Sequence, residues 1–109
     1  MKRQQPGYYL GKHYTAYIQQ MRDLKKEEKH SQLETLLINL IAATESEAYH
    51  QQCLAAPAYY EELAILYRKL HRDADERAVL ERFFHLPAHL RTSARLETRL
   101  AKIKAKEGK

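Results

Sequence analysis

The sequence has no tryptophan, one cysteine, three glycines and three prolines. A lone Cys53 excludes an internal disulfide and accords with a reducing compartment. Three glycines provide no glycine-rich loop of the kind that cradles nucleotide phosphates. No apolar run approaches the ~20 residues that cross a bilayer, and the opening "MKRQQPGYY" lacks the apolar stretch of a signal peptide. A cytoplasmic protein with no membrane partner is expected. Paired-carboxylate motifs are absent too. Glu47, His50 and Cys53 lie close in sequence and His85 and His89 bracket Pro87, but structural zinc usually takes four ligands from two close-spaced pairs, and neither cluster has a second pair. No enzyme, metal or cofactor is therefore expected.

What is present is helical in character. The 109 residues suffice for one domain, with 44% hydrophobic and 30% charged residues, a composition that favours an all-α fold over sheet or disorder. The net charge of +5 is concentrated at one end. Residues 82–109 carry eight Lys or Arg against two acids, whereas residues 1–81 carry eleven against twelve. A basic segment of this kind is either a solvated helix face or a surface for an acidic partner.

Apolar periodicity places five helices. In "KHYTAYIQQMRDLKK", residues 12–26, the side chains Tyr14, Tyr17, Ile18, Met21 and Leu24 recur at the spacing of one helical stripe. Ser31 and Glu34 have the spacing of a capping box, which starts a second helix running to about His50 with Leu33, Leu36, Leu37, Leu40, Ile41 and Thr44 on its apolar face. Pro57 suits the first turn of a third helix, "PAYYEELAILYRKLH", which is apolar on nearly every side. Tyr59, Leu63, Leu66, Tyr67 and Leu70 form one stripe there, and Tyr60, Ala64 and Tyr67 a second, so this helix needs two packing neighbours. Asp73 or Asp75 is the expected cap of a fourth helix built on Val79, Leu80, Phe83 and Phe84. Thr92 or Ser93 is the expected cap of a fifth, with Leu96, Leu100 and Ile103 on a narrow face.

The first four helices repeat. Tyr14, Tyr17, Ile18 and Met21 fall on Tyr60, Leu63, Ala64 and Tyr67 at an offset of 46, and Leu36, Leu37, Leu40 and Ile41 fall on Val79, Leu80, Phe83 and Phe84 at an offset of 43. The order aromatic, apolar, small, tyrosine in Tyr60, Leu63, Ala64 and Tyr67, followed by the stretch from Ala78 to Phe83, resembles a tetratricopeptide (TPR) repeat. The resemblance covers residues 12–84, with Ile18 standing where the first copy would have its small residue. It implies two stacked TPR-like helical hairpins plus a C-terminal capping helix. Residues 1–11 would be an extension, 12–50 and 58–85 the hairpins, 93–105 the cap helix and 106–109 a basic tail.

The resemblance also implies a protein-interaction adaptor that binds a peptide or partner helix on the groove lined by the first helices of each repeat. The groove-facing residues would be Lys12, His13 and Gln20 on the first helix and Glu61, Arg68 and Lys69 on the third, with Lys12 and Arg68 able to clamp a carboxylate. Tyrosine suits a half-wet binding wall, which adds Tyr8, Tyr9 and Tyr59 as interface candidates. So short an array leaves a flank that a homodimer would cover. The alternative is nucleic-acid binding through Arg91, Arg95, Arg99, Lys102 and Lys106, spaced so as to make a row of cations along the last helix.

Overall fold

The N-terminal segment folds where glycine permits it. The computed structural model describes residues 5–91 and 94–107. Two short antiparallel strands, β1 (Tyr8–Tyr9) and β2 (Lys12–His13), pair Tyr8 with His13 and Tyr9 with Lys12. Leu10 and Gly11 make the two-residue turn between them, both at positive φ (50° and 83°), the pattern of a type I′ hairpin. Gly7 enters the hairpin at φ 87°, where any larger residue is strained, and a Cβ there would lie 2.6 Å from the Glu47 carboxylate and displace it.

The helical stripe expected from residue 12 therefore begins differently. Tyr14–Tyr17 is a 3₁₀ turn and the α-helix α1 spans only Ile18–Lys26. A 3₁₀ turn stacks residues i and i+3, so Tyr14 and Tyr17 are still buried together, while Ile18 is left 40% exposed. The apolar spacing was compatible with both conformations, and strand pairing of Lys12 and His13 decides between them. Residues 8–13 are accordingly part of the packed body, not an extension.

The remaining helices are α2 (His30–Gln51), α3 (Pro57–Lys69), α4 (Asp73–Phe84) and α5 (Ala94–Glu107), with a 3₁₀ turn at Ala88–Leu90. The fold is all-α apart from the hairpin. The expected capping box does not form, because Ser31 already lies inside α2, whose cap is Lys29, and Glu34 is drawn to other elements. Likewise Arg72, not an aspartate, precedes α4, with Asp73 as its first residue and Asp75 accepting from Arg72 at 2.8 Å. Thr92 and Ser93, the expected caps of α5, lie outside the described residues, as do the last two of the basic tail; Lys106 is helical.

Scarce glycine shapes the helix ends. Glu28, Gln52 and His71 occupy the left-handed region at φ 56°, 51° and 58° where glycine is the usual choice. After α1, Lys29 N–H donates to Leu24 O at 3.0 Å, and after α3, Arg72 N–H donates to Tyr67 O at 2.9 Å, the long-range bond of a Schellman turn.

Each helix packs on the next, and α1, α3 and α5 form one layer over α2 and α4. The thinnest dimension, 22 Å, matches two helix diameters. Tyr60, Leu37, Leu40, Ile41, Leu80, Phe83, Leu90 and Leu96 are fully buried, and Tyr60 meets Phe83 edge-on with centroids 4.9 Å apart. Loops are tied in by buried polar groups: Thr44 Oγ1 accepts from Ala56 N–H at 2.9 Å, and Ala55 N–H donates to Leu90 O at 2.8 Å.

Four buried tyrosines join the layers. Tyr60 donates to Glu45 at 2.7 Å, Tyr67 to Glu34 at 2.7 Å and Tyr14 to Glu47 at 3.1 Å, all three acceptors lying on α2. Tyr59 donates to the carbonyl of Tyr14 at 3.2 Å. Burial raises the hydroxyl pKa of all four above the ordinary 10.0, and the neighbouring carboxylates of Glu45, Glu34 and Glu47 add to the rise at Tyr60, Tyr67 and Tyr14.

Two outcomes are expected. The folded state keeps tyrosine protons that the unfolded chain releases above pH 10, so stability holds below that pH and falls as it rises further; tyrosinate absorbance and loss of helical circular dichroism should then move together. Separate ionisation of these tyrosines with the helices intact would contradict the burial. Glu28→Gly, which relieves the left-handed position after α1, should raise the urea midpoint, by about 0.5–1 kcal/mol in stability.

Candidate functional site

The basic row of α5 does not face open solvent alone. Arg95, Arg99, Lys102 and Lys106, spaced by four, three and four residues, share one helix face and line a groove of about 1140 Å³. Its other walls come from α3, through Glu61 and Arg68, and from the turn into α4, through His71, Asp73 and Glu76. Leu96 and Leu100 are buried beneath the row, and Ile103 is half-buried at the groove itself, which fixes how the cations are presented.

These cations have unequal freedom. Arg95 Nε is 3.3 Å from Glu61 Oε2, and Arg99 Nη1 is 3.5 Å from Glu76 Oε2. Glu76 is only 4% exposed and sits in the first turn of α4, where the helix N-terminus favours a negative charge. Arg68, Lys102 and Lys106 have no acidic partner among the described residues. The groove thus has Arg99 held against a buried acid, Arg95 in an exposed pair with Glu61, and three long cationic side chains that remain available.

A second, smaller cleft of about 590 Å³ lies between the hairpin, α1 and α2. Tyr9, Tyr17, Leu24 and Leu36 contribute its apolar surface, and Gln20, Ser31, Gln32 and Thr35 its polar rim. The Tyr17 hydroxyl donates to the carbonyl of Tyr9, and Lys12 Nζ lies 5.4 Å from the Tyr17 ring centroid. The ring and the backbone of the hairpin are thereby held in one wall.

The residues expected from sequence divide between these places. Arg68 joins the α5 row, so one member of the adaptor set and four of the nucleic-acid set share a single groove. Tyr9, Lys12 and Gln20 line the small cleft, which separates Lys12 from Arg68 and dismisses their proposed clamp. His13 instead bonds Glu47 at 2.6 Å, and Tyr8 packs edge-on against His13. Lys69 reaches Glu28 at 3.6 Å, an exposed pair. Two assignments are corrected. Tyr59 is 5% exposed and belongs to the core, because α3 is covered on the side facing Tyr14. Arg91 stands apart from the row, donating from Nε to Leu86 O at 2.8 Å with its guanidinium 5.1 Å from the Phe84 ring centroid.

His50 and Cys53 have other partners: His50 Nδ1 is 3.0 Å from Ser46 O, and Cys53 Sγ is 3.8 Å from Glu47 O. Sequence reading missed His71, Asp73, Glu76 and Ile103 as groove residues. Asp73 signalled only a helix start, and the pairing of Glu76 with Arg99 depends on how α5 docks. No protein-family model, curated protein or solved structure matches the chain.

The groove geometry separates two otherwise similar truncations. Arg99→Ala leaves the buried Glu76 carboxylate unpaired and should destabilise the fold by about 1–3 kcal/mol. Lys102→Ala removes an exposed, unpaired charge and should stay within ~0.5 kcal/mol of the native protein. Urea denaturation of both variants measures the difference, and equal effects would remove the distinction drawn between fixed and available cations.

Proposed function

We propose that the protein is a cytoplasmic protein-interaction adaptor, a TPR-like array of two helical hairpins with α5 as its cap, that holds an acidic segment of a partner protein in the α3–α4–α5 groove. The observation that carries this reading is the trio Arg68, Lys102 and Lys106, which converge on one groove without acidic partners among the described residues. Arg99, held against the buried Glu76, would act as a fixed wall, with Arg95 paired to Glu61 at its edge, while the free trio meets the ligand. Charge-assisted hydrogen bonds from arginine to carboxylate are stronger than neutral ones and give orientation as well as affinity. Ile103 supplies an apolar contact beside them. Binding, not catalysis, is the role this composition favours.

Nucleic acid is the second reading, favoured by the same row on α5. Glu61 and Glu76 weigh against it, since by pairing Arg95 and Arg99 they interrupt the row and leave a short cluster of free cations, which suits a few discrete charges better than a continuous phosphate backbone. The α3–α4–α5 groove, not the hairpin side, is preferred because charge there specifies a partner.

Fluorescence anisotropy with a labelled Glu-rich helical peptide and with a DNA duplex, each at low and physiological salt, tests the proposal. The peptide should bind, and Lys102→Glu with Lys106→Glu should weaken it at least about tenfold, a loss of about 1.4 kcal/mol. DNA binding that falls steeply with salt, together with no peptide binding, would replace the adaptor reading by the nucleic-acid one.

A further inference from the structure

Two carboxylates of the α3–α4–α5 groove each take a single arginine from α5. Glu61 takes Arg95 at 3.3 Å and Glu76 takes Arg99 at 3.5 Å. The charge left over has a different ratio, for Arg68, Lys102 and Lys106 share the lining with one remaining acid, Asp73. With histidine counted as neutral, the groove therefore carries a surplus of two positive charges.

That surplus is gathered at one end. Arg68 and Lys102 each stand seven residues, about two helical turns, beyond the Glu61–Arg95 pair on their own helices. Both line the groove, so they face each other across it, and Lys106 lies one turn further along the face of Lys102. All three side chains are exposed, and their long stems let them turn toward one group.

We infer, resting on the acidic-partner reading, that this end of the groove takes a phosphorylated side chain of the partner segment. A phosphate monoester carries about −1.5 to −2 charges near neutral pH and presents three acceptor oxygens, which matches both the surplus of two and the three free cations. A carboxylate presents two oxygens and one charge, and in this groove one arginine suffices for it. Two neighbouring glutamates supply the same charge on two separate stems, and ordering both costs more side-chain entropy than ordering one phosphorylated residue. The groove, at about 1140 Å³, is far larger than a phosphate ion, and Ile103 on its wall offers an apolar contact, so the phosphate arrives attached to a chain. Asp73 opposes any anion here. Its place in the first turn of α4, where a helix N-terminus favours negative charge, accounts for its presence.

Fluorescence anisotropy at physiological salt tests the inference with three labelled peptide pools, each degenerate at the flanks and fixed at its centre as phosphoserine, glutamate or serine. The phosphoserine pool should bind the native protein at least about tenfold more tightly than the glutamate pool, and the serine pool should bind most weakly. Arg68→Gln, an exposed change, should keep the helical circular dichroism and bring the phosphoserine and glutamate pools to within about threefold of each other. Lys102→Gln, on the facing helix, should do the same and decides the matter if Arg68→Gln unfolds. Asp73→Asn should tighten the phosphoserine pool. Native protein that binds the phosphoserine and glutamate pools equally overturns the inference and leaves the acidic-partner reading standing, whereas binding of neither pool overturns both. Inorganic phosphate that binds as tightly as the phosphoserine pool overturns recognition of an attached chain.

Discussion

The structure depends on tyrosine hydroxyls that reach carboxylates on α2. A buried tyrosine ring adds apolar area, but its hydroxyl must find an acceptor or lose the hydrogen bonds it had in water. Here the acceptor is an ionised glutamate, which would itself be costly at a packed interface. Each has a basic partner from beyond α2: Arg72 for Glu34, Arg82 for Glu45 and the His13 imidazole for Glu47. The Tyr67 hydroxyl, and then Arg72, hold the Glu34 carboxyl below its ordinary pKa, while Glu45 raises that of Arg82. Glu34 and Glu45 are eleven residues apart, about three helical turns, so they occupy one side of α2 and take partners from α3 and α4. Glu47 points elsewhere and takes the hairpin. One helix thereby organises everything packed around it.

This arrangement explains which features could be read from the sequence. The apolar stripes of α2, α3 and α4 were legible because burial on a helix imposes a period whatever the partner. The two-sided pattern of α3 announced its two neighbours, α2 and α4. The ends were less legible. Ser31 and Glu34 have capping-box spacing, yet Glu34 gains more from Tyr67 and Arg72, residues more than thirty positions away, than from a local backbone N–H. The hairpin escaped notice because "YYLGKH" has Leu-Gly where a turn normally shows Asn-Gly. Tyr14 and Tyr17, three apart, satisfied a 3₁₀ turn and an α-helix equally.

The candidate groove was half legible for a similar reason. A row of cations follows from spacing along one helix, so the α5 face was evident. Which cations are neutralised follows from docking of α5 against α3 and α4, and only that separates Arg95 and Arg99 from Lys102 and Lys106. A basic stretch in a sequence states a number of charges; the fold states how many are already answered. In this protein the remainder is small, clustered and bordered by acids, which suits recognition of discrete charges better than a polyanion.

Packing in strict chain order has a kinetic meaning as well. Each helix rests mainly on its immediate neighbours in sequence, so little chain entropy is lost in bringing contacting segments together, and such local topologies fold fast. The central helices α2, α3 and α4 are each flanked on both sides, whereas α5 rests mainly on α4 and α1 on α2 and the hairpin. Elements with fewer packed neighbours open locally at lower free energy than the core. The groove built on α5 therefore lies where the packing is thin, and any partner seated there would hold α5 against α3 and α4.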